Sequence, residues 1–361
     1  MTSALRILVI HVSRIGDTLL ATPAIRALAE AFPGAHLTCL GHPKRVEVLD
    51  HLPFVQRIGA ITKNRAFWLG RLGGKRYDWA FVYGFDRALV KYALRVADKV
   101  VAFRQGDPAL DARLYRAVTP AAFQSDHAVP MQLALPAAIG AAPAGLRLAY
   151  RVSEEEKVWA QNTLEHLLPA GSRPLIGLQV ASFPTKAFRD WPLEHFIALC
   201  ERIRAHYPHA HFLIFGGPLE KERTEALHRR FPECSSLLAG RLTLRQTAAL
   251  MDRLDLYIGV DTGPTHIMGS LHRPLVALYH PTSPSRLLGP LEHPCFYPVD
   301  HPLAGKGATF DTPMADIGVE AVWRRVAAAL AQSGQPSQPA MLNPENTETP
   351  NNDDLTGELA K

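Results

Sequence analysis

Cysteine is scarce in this 361-residue chain. Cys39, Cys200, Cys234 and Cys295 lie far apart and form no C-x-x-C pair, so they read as reduced core residues of a cytosolic protein. Long apolar runs are missing too: none approaches the roughly 20 residues of a membrane span. The opening MTSALRILVIHV is too short for a signal sequence and lacks a cleavage region, so it reads as a first strand. No G-x-G-x-x-G follows that strand, which removes the main support for dinucleotide redox chemistry. GRLGGK at 70–75 fails as a phosphate loop, because Arg76 follows the Gly–Lys pair and the first glycine is misplaced. There is no H-E-x-x-H and no D-x-D, and the 16 histidines are scattered, so no metal site is expected.

What is present is a normal globular composition, 47% hydrophobic and 20% charged, in a chain long enough for two domains. The net charge of +5 is uneven. Residues 1–150 hold 19 Lys and Arg against 10 Asp and Glu, a surplus that suits an anionic partner or simply a soluble surface. No nucleic-acid module appears, so nucleic acid is not expected as a partner.

Apolar strand-like runs alternate with helical periodicity through both halves. The runs are 7–12, 36–40, 79–84 and 99–103, then 174–181, 211–217, a short one near Leu237, 254–260 and 274–280. DTLLATPAIRALAEAF reads as one helix with Leu20, Ala24, Ala27, Leu28 and Ala31 on its inner face. Ser153 with Glu156, and Thr243 with Gln246, read as capping boxes opening two more. The stretch 104–125, with Arg104, Arg113 and Arg116, reads as an irregular surface loop, and 314–332 as the last helix. These repeats predict an α/β protein of two parallel-sheet domains, residues 1–150 and 151–332, with a disordered tail over 333–361.

Three strand-to-helix junctions carry polar groups where parallel sheets bind ligands. The first is Ser13-Arg14-Ile15-Gly16-Asp17. Gly16 permits close backbone approach, and Asp17 at a helix start suits either a cap or an ionised base. The second, VASFPTKAFRDW (180–191), offers Ser182, Thr185, Lys186 and Arg189, a set fit for a phosphate or merely solvated. The third, GVDTGPTHIMGSL (259–271), places Asp261 after a buried strand. Thr262, Gly263, Pro264 and Thr265 then turn into a helix whose amides can meet a diphosphate.

These segments resemble glycosyltransferase family 9, the ADP-heptose:lipopolysaccharide heptosyltransferases, over about residues 5–330. The resemblance is carried by ILVIHVSRIGDTLLATPAIRAL, LIFGGPLEKER and, most specifically, LAGRLTLRQTAALMDRLDLYIGVDTGPTHIMGSLHRPLVALYHPTSP. It implies a GT-B architecture: two Rossmann-like domains facing a cleft, the acceptor on the first and the nucleotide sugar on the second. It implies metal-independent, inverting transfer of heptose from ADP-heptose, the donor substrate, to an anionic lipopolysaccharide core, with no cofactor. Asp17 would be the general base, with Arg14 and Gly16 beside the acceptor. Ser182, Thr185 and Lys186 or Arg189 would hold the diphosphate, Glu220 or Glu222 the ribose, and Asp261 the heptose hydroxyls. Thr262, Gly263 and His266 would sit by the diphosphate. The acceptor's lipid anchor implies peripheral contact at the cytoplasmic face of the inner membrane. The chain departs from the family pattern in the spacing of Lys186 from Trp191, and in Tyr279-His280, which puts an imidazole near the nucleotide. Another nucleotide sugar as donor, or a binding-only protein, are the competing readings.

Overall fold

The computed structural model describes residues 4–69, 71, 74–122 and 126–333; the tail expected over 333–361 lies outside them beyond Ser333, as do three residues of the stretch 70–75. The first sheet is built from β1 (Arg6–His11), β2 (His36–Gly41), β3 (Arg57–Ala60), β4 (Tyr77–Tyr83), β5 (Ala97–Phe103) and β6 (Arg116–Val118), all parallel, in the order β3-β2-β1-β4-β5-β6. The second comprises β7 (Leu175–Gln179), β8 (His211–Phe215), β9 (Ser235–Leu237), β10 (Leu256–Val260), β11 (Leu275–Tyr279) and β12 (Phe296–Asp300), ordered β12-β11-β10-β7-β8-β9. Renumbered within its own half, the second order is the mirror-written copy of the first. Both are the doubly wound Rossmann order, with the switch point between β1 and β4 in one sheet and between β7 and β10 in the other.

The helices of the first half are α1 (Ile15–Leu20), α2 (Thr22–Ala31), α3 (Lys63–Trp68), α4 (Arg87–Val96), α5 (Pro108–Asp111) and α6 (Ala128–Ala137). Those of the second are α7 (Glu154–Leu167), α8 (Leu193–His206), α9 (Lys221–Arg230), α10 (Leu244–Met251), α11 (Gly263–Leu271), α12 (Ser285–Leu288) and α13 (Val319–Ser333). Central strands are largely apolar because both faces are covered; β7, β8, β10 and β11 have no exposed residue. Both capping boxes form: Ser153 and Thr243 accept from the amides of Glu156 and Gln246, whose side chains return the bond.

Several sequence expectations are corrected. The single helix expected from Asp17 breaks into α1 and α2 at Ala21, because Pro23 has no N–H for the Leu19 carbonyl. The Thr22 hydroxyl donates to that carbonyl instead, at 2.6 Å. The loop expected over 104–125 contains α5 and the edge strand β6, and Arg116 is a strand residue. The last helix begins at Val319, after a separate 3-10 turn at Met314–Asp316. Of the four free cysteines only Cys39 and Cys200 are buried; Cys234 and Cys295 are half-buried.

The apolar core has three parts. One cluster covers the outer face of the first sheet beneath α3 and α4, and another the outer face of the second sheet beneath α8 and α13. The third is continuous between the halves, from Ile7 and Phe81 to Tyr257 and Met268. Polar ties reinforce it. Arg245 of α10 donates to both Glu156 oxygens and the Arg151 carbonyl, and its guanidinium lies 4.7 Å from the Tyr150 ring centroid. Glu292 accepts from the Leu146 amide, and a His127 ring nitrogen lies 2.7 Å from the Gly289 carbonyl. The two switch points are thereby fixed facing each other.

Candidate active site

The chain leaves β1 at His11 and turns through Ser13 and Arg14 into α1, at the carboxyl edge of the first sheet. Asp17 stands in the first turn of α1, half-buried, and the Ser13 hydroxyl donates to its Oδ2 at 2.7 Å. Arg14, at the N-cap position, is exposed. Its carbonyl accepts from the Thr18 amide and hydroxyl, at 3.0 and 2.8 Å, so the turn is closed by backbone and Thr18. Asp17 makes no capping bond there. Its carboxylate is held instead by Ser13 and acts electrostatically on His11.

Beneath Asp17 lies His11, a buried residue whose Nδ1 has no hydrogen-bond partner. Its ring packs edge-on against Tyr83 at the end of β4, 5.5 Å between centroids. Burial lowers the His11 pKa to about 4, against the opposing pull of the Asp17 carboxylate. The sequence reading passed over His11, because it continues an apolar run; a polar residue closing a buried strand was the available signal.

On the second half, the chain leaves β7 and forms a 3-10 turn at Pro184–Arg189. Ser182 is consumed locally: its amide and hydroxyl donate to Asp190 Oδ1 at 2.7 and 2.6 Å, and the hydroxyl also lies 2.7 Å from the Lys186 carbonyl. Asp190 is also within 3.8 Å of Arg223 Nε. Ser182 and Asp190 thus shape the turn, which leaves Thr185 exposed and presents Lys186 and Arg189. The two cations flank the Phe188 ring, at 5.3 and 5.7 Å from its centroid. Partial burial, then Arg14 and Arg189, lower the pKa of Lys186. Three cations from both halves therefore act on one another across the crevice, an arrangement suited to an anion.

The third junction supplies Asp261, 1% exposed, directly after β10. Arg189 Nη1 donates to Asp261 Oδ2 at 2.6 Å and approaches its carbonyl at 3.2 Å. His266 Nε2 lies 3.2 Å from Oδ1, an ion-pair distance outside hydrogen-bond alignment. Burial alone would raise this carboxyl's pKa; His266 and Arg189 outweigh it and hold the pKa below the ordinary value. Asp261 thus orients Arg189 and His266, with its own oxygens turned to them. Thr262, half-buried, is the N-cap of α11, but its side chain makes no capping bond; the hydroxyl lies 3.4 Å from that of Thr265. Thr265 in turn donates to the Val260 carbonyl at 2.6 Å.

The two halves touch here. A Cβ at Gly16 would lie 2.5 Å from His266 Cδ2, and one at Gly263 would lie 3.1 Å from Ile15 Cβ. Neither position needs glycine for its φ; each needs it for the close approach of α1 to α11. Gly16, expected beside the acceptor, is a packing point between the switch points.

Glu220 and Glu222 separate clearly. Glu220 is buried and accepts from the Gly217 amide, and burial, with Asp190 nearby, raises its pKa. Glu222 is exposed in the first turn of α9. His280, expected near the nucleotide, is fully buried. Its ring nitrogens lie 2.8 Å from the Thr282 hydroxyl and 3.2 Å from the Thr312 carbonyl, so it anchors the segment after β12. Among the described residues no group of three or more His, Cys, Asp or Glu is placed to hold a metal ion.

Comparison with known proteins agrees with this fold. Residues 70–294 match the family described as glycosyltransferase family 9 (heptosyltransferase). The chain is 26% identical over 320 residues to lipopolysaccharide heptosyltransferase 2 of Escherichia coli K12, covering 80% of this chain and 86% of that protein. A glycosyltransferase family 9 structure from Veillonella parvula superposes with a TM-score of 0.78, at 21% identity, over 92% of this chain and 99% of the other. The ADP-heptose lipopolysaccharide heptosyltransferase II of E. coli superposes with a TM-score of 0.74, at 21% identity, over 91% and 99%. The expected GT-B architecture is therefore present, and the chain belongs to glycosyltransferase family 9, the heptosyltransferase family.

Proposed function

We propose that this enzyme transfers heptose from ADP-heptose, with inversion and without a metal ion, to a hydroxyl of an anionic lipopolysaccharide inner core. The observation that carries the reading is the meeting of the switch points. An acid, Asp17, lies on one side of the α1–α11 contact, and the cations Lys186 and Arg189 lie on the other.

Asp17 accepts the proton of the acceptor hydroxyl as that oxygen bonds to the anomeric carbon. The carbon–oxygen bond to the diphosphate breaks from the opposite face, and ADP departs with the electron pair. Arg14, Lys186, Arg189, the Thr185 and Thr262 hydroxyls and the open amide end of α11 offset the charge developing on the diphosphate. Asp261 acts on the donor through Arg189 and His266. We assign the ribose contact to Glu222, which is exposed at the start of α9, because Glu220 is buried in the Gly217 turn.

The donor class is supported by the name of the E. coli structural relative, and the acceptor class by that of the curated one. The surplus of cations over residues 1–150 suits a phosphorylated or carboxylated glycan. With such a lipid-anchored acceptor, the place of work is the cytoplasmic membrane face. No helix among the described residues is long and apolar enough to cross a membrane, so the contact is peripheral in this reading.

The test is calorimetric titration with ADP-heptose, ADP, UDP and GDP in a chelating buffer, followed by product analysis. Preference for the adenine nucleotides and an anomeric configuration opposite to the donor's is expected. Preference for UDP or GDP, a requirement for divalent cation, or retained configuration would each overturn the corresponding part.

A further inference from the structure

The chain carries a second built feature, far from the switch points in the layer order. Helices α3 and α4 cover the outer face of the first sheet, opposite the face joined to the second half. Three consecutive large apolar side chains stand out from this layer: Phe67 is 51% exposed, Trp68 69% and Leu69 42%. Trp68 is the most exposed large apolar side chain among the described residues. Isolated exposed apolar residues need no explanation, but a contiguous aromatic group does.

The display is held in place. Thr62 caps α3 by accepting from the Arg65 amide, and Ala66 is buried in the core beneath. Arg95 of α4 donates to the Ala66 carbonyl, and its Nη2 donates to the Leu69 carbonyl at 2.9 Å. Phe67 and Trp68 stand edge to face, 5.0 Å between centroids. The residues are therefore fixed pointing outward while the short helix beneath is pinned to its neighbour.

The same place is strongly cationic. The Arg71 guanidinium lies 4.2 Å from the Phe67 centroid and 5.1 Å from that of Trp68. A cavity of about 280 Å³ opens beside them, lined among the described residues by Phe67, Arg71, Ala88, Lys91 and Arg95, three cations and no carboxylate. Burial and the neighbouring Arg71 lower the pKa of Arg95, as expected of crowded guanidiniums. Free anions need no aromatic display, and an apolar protein partner needs no uncompensated charge. Rings that enter the headgroup region beside cations that meet phosphates are the two signals of an anionic bilayer surface.

We propose that Phe67, Trp68 and Leu69, with Arg71, Lys91 and Arg95, form the surface by which this enzyme docks on a bilayer containing anionic phospholipid. The aromatic side chains enter the headgroup boundary, and the cationic cavity takes a lipid phosphate. The first half then sits against the membrane through its outer layer, while the face joined to the second half stays clear of the lipid. The inference deepens the reading of a lipid-anchored acceptor and rests on it for its purpose, but vesicle binding is read without donor or acceptor.

The experiment is co-sedimentation of the full chain with vesicles of phosphatidylcholine alone and of phosphatidylcholine mixed with phosphatidylglycerol, at low and high salt. Binding to the anionic vesicles, weakened by salt, is expected, with little binding to the neutral ones. The double variant Phe67→Ser/Trp68→Ser should lose about tenfold or more in vesicle affinity, and Arg71→Glu should lose binding to the anionic vesicles selectively. Both should keep wild-type affinity for ADP and a wild-type thermal midpoint, which shows that the fold is intact. Equal binding by wild type and both variants, or no preference for anionic lipid, overturns the proposal. So does a concentration-dependent dimer in analytical ultracentrifugation that the double variant abolishes, since a second copy would then cover the patch. Transfer to a delipidated acceptor, measured separately, distinguishes failure of docking from failure of the heptosyltransferase reading.

Discussion

Gly16 of the first half lies against the imidazole of His266 from the second, so closely that a Cβ at position 16 would fall 2.5 Å from Cδ2. This contact links the turn that carries Asp17 to the helix that carries His266. Gly16→Ala must displace one or the other. Its expected cost is about 1–3 kcal/mol of stability, with loss of turnover exceeding loss of ADP affinity. Denaturant unfolding together with kcat and calorimetry checks this; an unchanged kcat would show that the contact is dispensable.

Arg189→Ala leaves Asp261, 1% exposed, with His266 as its remaining ion-pair partner among the described residues. Breaking a buried pair in this way is expected to lower stability by about 3 kcal/mol and to weaken ADP binding. Arg189→Lys should recover part of the ADP affinity by restoring charge, but not the contact to both the Asp261 carboxylate and carbonyl. Thermal melts and ADP titration of both variants decide it. Wild-type behaviour of Arg189→Lys would show that only charge matters, and equal behaviour of the two variants would show that charge at this position contributes nothing.

His11 and His293 are both shifted down from 6.5 to about 4 by burial, with smaller contributions from charged neighbours. The folded pKa lies below the unfolded one, so the unfolded chain binds more protons between these values. The stability from keeping each ring neutral is fully present above pH 6.5 and is lost as the pH falls towards 4. Each can contribute up to roughly 3 kcal/mol across that window. The thermal midpoint should therefore fall over that range, and His11→Phe should flatten the fall. A slope identical to wild type would remove His11 from the account.

Arg245 joins α10 to Glu156, Arg151 and the Tyr150 ring, and reaches the Glu47 carbonyl of the first half at 3.5 Å. Arg245→Ala strands a carboxylate that also closes the capping box of α7. A loss of about 2–3 kcal/mol is expected, read by chemical denaturation, with the nucleotide site intact. A change in ADP affinity larger than the change in stability would instead place Arg245 in the site.

The central strands and both capping boxes were legible in the sequence because burial on two faces writes continuous apolar runs, and capping writes a fixed spacing. The strands missed were β3, β6 and β12, each at a sheet edge. Edge strands are half-solvated, so β6 opens with Arg116 and β12 tolerates Pro298, and neither gives an apolar run. The three polar junctions were visible for the same reason as the central strands, since each follows one. Their internal chemistry was not. Nothing in the spacing says that Ser182 is occupied by Asp190, that Asp261 is occupied by Arg189, or that Gly16 exists to admit His266. Those are facts of packing between residues as far as 250 positions apart.

The central claim is that Asp17 takes the acceptor proton. It is tested most directly by Asp17→Asn, which keeps the size of the side chain and its contact with Ser13 but removes the base. The account predicts unchanged ADP affinity by calorimetry and a fall in kcat of about 10²-fold or more, with ADP-heptose and a lipopolysaccharide-core acceptor. Turnover at the wild-type rate with the same substrates would contradict it and return Asp17 to a purely structural place at the start of α1.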